Sequence, residues 1–268
     1  MKIFFLDGAW SAGIYQMGVY KFLRENIDED KYNEIEFHGQ SAGAWIACAA
    51  VLKIDPIDIY KIWLNEAIQK RKKRKLLDML FLKDIFEKSF TLIDMKNINN
   101  ENRIKDKLIV YTTNLGIKKE KKLKYKLNFF EHTANKNISS ENLFDILIGS
   151  SYLGPLVDND NLYYIDNQLI IDGGFTNMPQ FRFLNSDTGI ITDHYDEDID
   201  IIISGYNGKD NVAVKYNGSF DLKPTIKLPS YIGGLVFPPS KKWIESVFNL
   251  GYRDAKQLLN NKKFQTIM

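Results

Sequence analysis

Cysteine is almost absent: Cys48 is the only one in 268 residues. A single thiol excludes an internal disulfide and fits a reducing compartment, so an intracellular, cytoplasmic location is expected. Cys48 sits inside the apolar run Ala44–Leu52, where packing is the better role for it than chemistry. Histidine is scarce too, with three, His38, His132 and His194, which leaves few candidates for any reaction that needs an imidazole base. Long apolar runs are missing. The longest, Ala44–Leu52, has nine residues, against the ~18 that a membrane span needs, and no transmembrane segment is expected. The opening MKIFFLDG holds an apolar stretch of four residues, too short for a secretory signal. Neither sign of charge dominates: 36 basic and 34 acidic residues give +2, which argues neither for nor against an anionic partner. No repeat or linker divides the chain, so one domain over residues 1–268 is the expectation.

What is present is a core. With 44% hydrophobic and 13% aromatic residues the chain can bury a sizeable interior. Lys2–Leu6 reads as a buried strand, followed by the small-residue loop Asp7–Gly13 and a helix from Ile14 to about Asn26. A second extended run, Glu34–His38, leads through a glycine-rich turn into the apolar helix Ala44–Leu52. Strand, loop, helix, strand, turn, helix in 52 residues implies an α/β fold with a largely parallel central sheet. Further strands are expected over Lys107–Thr113, Lys121–Phe129 (its lysines facing out, as on an edge strand) and Asp200–Ser204. A hairpin is expected from Leu162–Ile165 and Gln168–Ile171 around Asp166-Asn167. Asp55-Pro56 opens a helix, Ser139-Ser140-Glu141 caps another through Ile148, and Ile98–Arg103 reads as a short helix or loop. Pro and Gly punctuation makes Phe220–Pro239 a loop, and Ser240–Leu259 an amphipathic helix.

The turn between the second strand and its helix is Gly39-Gln40-Ser41-Ala42-Gly43, a G-x-S-x-G pattern. The pattern alone also describes a plain glycine-rich turn. Between a strand and a helix it describes a serine whose hydroxyl projects from a sharp bend, with the helix N–H groups and positive dipole end aimed at it. The loop one strand earlier has three readings. A dinucleotide fingerprint is blocked by Trp10, which stands where the central glycine would meet a pyrophosphate. A P-loop would need Gly-Lys-Ser/Thr, which is absent. An oxyanion hole needs only small residues and consecutive backbone N–H groups beside a nucleophile, and that reading is preferred.

A serine nucleophile needs a base. His38 precedes the turn at a strand end, where its side chain is expected to point away from Ser41. His132 and His194 lie in polar, turn-like stretches. Ser41, Asp172, His194 does follow the chain order of an α/β-hydrolase triad, but that fold places its serine turn deeper in the sequence, and His194 stands in an acidic, solvated loop. The alternative is a carboxylate acting directly on the serine. Asp172 ends the apolar run Gln168–Ile171, where active-site groups of α/β folds gather, and Gly173-Gly174 permits close approach. Burial there would raise its pKa toward that of a useful base.

Taken in order, Asp7–Gly13 with Ile14, Tyr15, Gly18 and Val19, then Gly39–Gly43, then Asp172-Gly173-Gly174, resemble the patatin-like phospholipase family. Ser150–Pro155 is similar to the stretch that precedes the family's aspartate. Phe237–Ser240 and Gly251–Ala255 look like its adiponutrin and adipose triglyceride lipase branch. The resemblance implies a three-layer α/β/α fold and a lipid acyl hydrolase with a Ser41–Asp172 dyad. It places an oxyanion hole at Gly8, Ala9 and Trp10, and motif glycines at Gly13, Gly39, Gly43, Gly173 and Gly174. It implies no metal or other cofactor and no need for calcium. Two departures stand out: Ala9 and Trp10 replace glycines of many members, and the arginine or lysine some carry just before the last loop glycine is missing. A catalytically weak lipid-binding protein and a lysolipid acyltransferase are the alternatives.

Lys70–Lys75 is six basic residues in a row, followed by apolar Leu76–Leu82. A solvated helix end before a core-facing helix accounts for it. So does docking at an anionic bilayer, which gives possible peripheral association with a membrane or lipid-droplet surface. Nucleic acid is not expected as a partner, since neither aromatic interleaving nor a binding motif accompanies the run.

Overall fold

The computed structural model of the chain describes residues 2–9, 12–72, 85, 87–92, 98–120, 124–152, 163–165, 168–174, 191–192, 199–205, 220–226, 228 and 239–267. Nine strands form one sheet among the described residues: β1 (Lys2–Leu6), β2 (Ile35–Gln40), β3 (Leu108–Glu120), β4 (Lys124–Asn135), β5 (Tyr163–Ile165), β6 (Gln168–Ile171), β7 (Ile191–Thr192), β8 (Ile201–Ile203) and β9 (Phe220–Leu222). The order across it is β5-β6-β3-β2-β1-β8-β9, with β4 paired to β3 and β7. From β3 through β2, β1 and β8 to β9 every pairing is parallel, while β4, β5 and β6 pair antiparallel with their neighbours β3 and β6. The helices are α1 (Gly13–Asn26), α2 (Glu29–Asn33), α3 (Ala42–Val51), α4 (Pro56–Lys72), α5 (Ile98–Lys107), α6 (Leu143–Ser150), α7 (Lys241–Gln257) and α8 (Lys262–Ile267). This mostly parallel sheet flanked by helices is the α/β fold expected. No helix among the described residues is long and apolar enough to cross a membrane.

Alternation along the strands sorts their side chains between two buried faces. Phe4, Leu6, Phe37, Val110, Ile201 and Ile203 join the apolar sides of α1, α3 and α7 in the larger core, which reaches from Phe4 to Phe264. Ile3, Phe5, Ile109, Tyr111 and Ile202 form a smaller cluster on the other face. The helix α3 is buried along its whole length, which explains why its sequence, AGAWIACAAV, has no polar stripe. Two long helices cross closely where each offers a glycine: a Cβ on Gly18 of α1 would lie 2.0 Å from the Phe248 carbonyl oxygen, and one on Gly251 of α7 would lie 2.0 Å from that of Tyr15.

Several local expectations change. Phe220–Leu222 is a strand rather than loop, because it precedes the proline-rich punctuation and finds an edge to pair with, Phe220 N–H bonding to the Asp200 carbonyl at 2.9 Å. His132 is in β4, opposite Thr113 and beside Thr192, not in a turn. The β3 strand runs on to Glu120, since a hairpin partner supplies hydrogen bonds that its polar, lysine-rich second half does not advertise. The helix α2 was not foreseen: five residues are too few to show a period. The Ser139–Ile148 helix begins at Leu143, its entry held by Asn142 Oδ1 accepting the Ser139 N–H at 2.7 Å. The Asp55 cap is as expected, its carboxylate accepting the Ile57 N–H at 2.8 Å. Most of Lys70–Leu82, and His194, lie outside the described residues.

Candidate active site

Parallel register brings three strand ends to one edge. Leu6 stands opposite Gly39 and Ile203, and Gln40 opposite Tyr111, so Asp7, Ser41 and Ser204 emerge side by side at the carboxyl ends of β1, β2 and β8. The antiparallel strand β6 then arrives from the other direction. Ile171 pairs with Thr113, which delivers Asp172 to the level where β2 ends.

Ser41 bridges β2 and α3 with φ 54° and ψ −132°, a conformation that side-chain-bearing residues rarely adopt. The bend is tight enough to dictate its neighbours. A Cβ on Gly39 would lie 2.6 Å from the Ala44 Cα, and one on Gly43 would lie 2.2 Å from the Leu6 carbonyl oxygen. The strain is held from outside: the Ser41 N–H donates to Ser150 Oγ at 2.9 Å, and Ser150 Oγ–H donates to the Tyr111 carbonyl at 2.6 Å.

The hydroxyl of Ser41 donates to Asp172 Oδ2 at 2.6 Å. The other carboxylate oxygen, Oδ1, accepts the Gly174 N–H at 2.8 Å. The Asp172 N–H bonds to the Tyr152 carbonyl and the Gly173 N–H to that of Ser150, both at 2.8 Å, so the end of α6 and the end of β6 lock together behind the pair. Gly173 is obligatory there, since a Cβ would lie 2.1 Å from the Tyr111 carbonyl oxygen. Both residues are buried, and burial pushes the Asp172 carboxyl up to about 7. Its bonds from Ser41 and Gly174 act against that rise, and the charge of Asp7 adds to it.

Asp7 is a second buried carboxyl at this edge. Its Oδ1 accepts the Gly8 N–H at 2.7 Å and the Gln40 Nε2–H at 2.5 Å. Burial lifts it to about 6 against those two bonds. Gln16 of α1 reaches back to hold the carbonyls of Asp7 at 2.7 Å and Ile203 at 2.8 Å, fixing the strand end beneath the loop. The loop itself lies against the serine: a Cβ on Gly8 would lie 3.2 Å from the Ser41 Cβ. Ala9 is buried, its carbonyl accepts the Ala12 N–H at 2.8 Å, and its own N–H has no partner among the described residues. Gly13 opens α1, with space at its Cβ position 3.4 Å from the Ala42 Cβ. Trp10 lies outside the described residues.

The structure thus brings Ser41, Asp172, Gly8, Ala9 and the motif glycines together. His38 is not with them. Its ring bonds to Glu36 at 2.7 Å and to the Tyr111 hydroxyl at 3.0 Å, on the sheet face away from Ser41, and the His38 bond holds the Glu36 carboxyl below its ordinary range. The sequence reading did not assign roles to Asp7, Gln16, Gln40 and Ser150. For Asp7 the signal was available: a carboxylate directly closing an apolar strand beside the glycine loop. Ser150 was marked only as part of the Ser150–Pro155 resemblance, and neither its bond to Ser41 nor that of Gln16 to Ile203 shows in spacing, since each spans more than a hundred residues.

A serine on a strained strand-to-helix bend, bonded to a buried carboxyl at the carboxyl edge of a parallel sheet, is an arrangement that nucleophilic acyl chemistry can use. The family model described as patatin-like phospholipase matches residues 4–184, a span that includes the loop, the bend and Asp172. The chain belongs to the patatin-like phospholipase family. No curated protein matches it. Among solved structures, the crystal structure of VipD from Legionella pneumophila aligns with a TM-score of 0.48 and 12% identity, over 97% of this chain and 66% of that one.

Proposed function

We propose that the chain is a lipid acyl hydrolase of the phospholipase A or acylglycerol lipase type, with Ser41 as nucleophile and Asp172 as general base. The observation that carries this reading is the 2.6 Å hydrogen bond from Ser41 Oγ to Asp172 Oδ2. As Oγ attacks the ester carbonyl, its proton passes to Asp172 and a tetrahedral oxyanion forms. Collapse breaks the acyl C–O bond, and the same proton goes to the departing alkoxide, releasing an alcohol or lysolipid. Water then gives a proton to Asp172 and attacks the acyl-enzyme, and Ser41 leaves with that proton. The proposed oxyanion donors are the backbone N–H groups of Gly8, Ala9 and Trp10, helped by the N-terminal dipole of α3. This scheme routes no step through a metal.

One observation favours a weaker catalyst, or a protein that mainly binds lipid: the Gly8 N–H is taken by Asp7 rather than pointing free. An acyltransferase would share the acyl-enzyme and differ only in using a lysolipid in place of water. The likeness to the adiponutrin and adipose triglyceride lipase branch rests partly on Ser240 and Gly251–Ala255. Here Ser240 caps α7, Gly251 makes the helix crossing, and Asp254 binds Thr225 and Tyr15. Packing accounts for these residues, so the branch stays a proposal. The continuous core from Phe4 to Phe264 supports reading 1–268 as one domain. A substrate embedded in a membrane or droplet calls for peripheral docking, proposed for the basic-apolar stretch Lys70–Leu82.

The test is a panel of phospholipids, lysolipids and acylglycerols with a fluorophosphonate probe alongside. Wild type should hydrolyse at least one class and label on serine; Ser41→Ala should do neither. Asp172→Asn should lose turnover by a factor of 10² or more, within the range that general-base catalysis contributes. Equal labelling of wild type and Ser41→Ala would overturn the assignment, and full turnover by Asp172→Asn would remove Asp172 from it.

A further inference from the structure

The cavity of about 490 Å³ at the other end of α3 is lined by Lys53, Arg103, Lys107, Asp106, Asn102 and Tyr32, among others, over a floor that includes the first residue of β2. Ten helical residues, roughly 15 Å at 1.5 Å each, separate this recess from Ser41. Its size falls within the range of small-molecule sites.

Three cations gather on this side. Lys53 pairs with Glu29, and so does Arg24, at 3.2 Å, so one carboxylate serves two positive groups. Arg103 has no acidic partner among the described residues, and its hydrogen bond is a long one, 3.5 Å, to Asn33 Oδ1. Asp106 and Lys107 on the wall cancel each other in formal charge. Burial, followed by the charges of Arg103 and Arg24, brings the Lys53 ammonium down to about 8. Burial also lowers Arg103, and Arg24 works in the same direction. Glu29 is shared by Lys53 and Arg24, and the repulsion between Lys53 and Arg103 is left without a carboxylate bonded to both among the described residues.

Lys53 is also held at a conformational cost. It has φ 55° at the position after the α3 cap, with its N–H on the Ala50 carbonyl and the Ile54 N–H on that of Ala49. That arrangement ordinarily takes glycine. The α3 dipole favours a cation here, but Tyr20 and Tyr32 already bond two of the last carbonyls, Ala49 at 3.2 Å and Ala50 at 2.9 Å, and Tyr20 also bonds the Ile54 carbonyl beyond the helix at 2.7 Å. Completing the helix end therefore needs neither a lysine in a strained conformation nor an arginine that has no carboxylate partner among the described residues.

We infer that this recess binds a phosphate-bearing anion, held by Lys53 and Arg103 and assisted by the amide of Asn102. An ammonium and a guanidinium with an amide donor suit a group that presents several charged oxygens at once, and the volume leaves room for an organic portion beyond the phosphate. The site is separate from Ser41 and stands whether or not Ser41 turns over. The phosphate can belong to a free small molecule or to a lipid headgroup.

The experiment titrates the full chain with inorganic phosphate and with glycerol 3-phosphate, against chloride at matched ionic strength, by calorimetry and thermal melting. Phosphatidylcholine vesicles with and without phosphatidic acid form a second arm. Lys53→Gly and Arg103→Ala are the variants. Lys53→Gly relieves the backbone strain and should raise the ligand-free melting temperature by about 2–4 °C, so loss of folding cannot explain loss of binding. Wild type should bind at least one phosphate probe, and each variant at least tenfold more weakly. Binding of glycerol 3-phosphate without preference for phosphatidic acid vesicles identifies a free phosphomonoester; a vesicle preference lost in both variants identifies a headgroup. If no phosphate probe binds, or wild type and both variants bind equally, the inference is wrong.

Discussion

Asp172 is a carboxylic acid placed where ionisation is costly, and that cost has a sign. In the unfolded chain it releases its proton near 3.8; buried beside Ser41 it does so near 7. Between those values the folded protein holds a proton that the unfolded chain has lost, so stability falls as pH rises from about 4 to 7 and the penalty is complete above that. Asp7 contributes in the same direction up to about 6. Asp172→Asn should therefore be more stable than wild type at pH 8, by on the order of a few kcal/mol at most, with the gap closing near pH 4; denaturant titrations at the two pH values measure it. In the proposed mechanism Asp7 acts through the same electrostatics. Its charge raises Asp172, so Asp7→Asn should move the acid limb of the kcat/KM profile to lower pH, and an unmoved limb would separate the two carboxyls. The meeting of Ser41 with Asp172 was legible in the sequence because each carries its own punctuation, glycines around Ser41 and after Asp172. The bond from Asp7 to Gly8 was not, because a side chain's choice between solvent and its neighbour's N–H leaves no pattern in spacing.

At the scale of elements, the α1–α7 crossing sets propensity against packing. Alanine in a helix interior is favoured over glycine by about 1 kcal/mol, which would make Gly18→Ala stabilising. A methyl group there meets backbone, the Phe248 carbonyl oxygen at 2.0 Å and the Tyr252 nitrogen at 2.9 Å, and neither can swing aside. Forcing two helices apart costs about 1–3 kcal/mol or more, so packing wins. Gly18→Ala should lower the denaturation midpoint, and a raised midpoint would show that the crossing can open. Elements long enough to show their period were legible, α1, α4 and α7 among them, and α3 was legible as an unbroken apolar run after the glycine turn. Of the short ones, β1, β5, β6 and β8 show as apolar runs between turn residues, while β9 and α2 do not, because pairing partners and chain geometry define them rather than their own composition. His132 was misplaced for a related reason: a polar stretch becomes a strand when an antiparallel neighbour supplies its hydrogen bonds.

For the whole molecule, the long-range ties predict how it comes apart. Asp254 near the carboxyl end binds Thr225, with its Oδ1 on the hydroxyl at 3.0 Å and its Oδ2 on the N–H at 2.9 Å, and it accepts a longer bond from Tyr15 Oη at 3.4 Å. Phe264 shares a core with Phe4. Heat unfolding should then be one cooperative transition, coincident by far-ultraviolet circular dichroism and tryptophan fluorescence; two separated transitions would divide the chain into independent units. The Ser150 hydroxyl that holds the Ser41 bend has one more consequence. Ser41 leaves the ribosome early, but its brace, Ser150, follows 109 residues later and its hydrogen-bond acceptor, Asp172, 131 residues later. Pairings at such sequence separation form late in folding. On the proposed assignment, a nascent chain that already holds Ser41 therefore has neither the brace nor the proton acceptor, and it gains the capacity to cut acyl lipids only once the later segments have folded onto it.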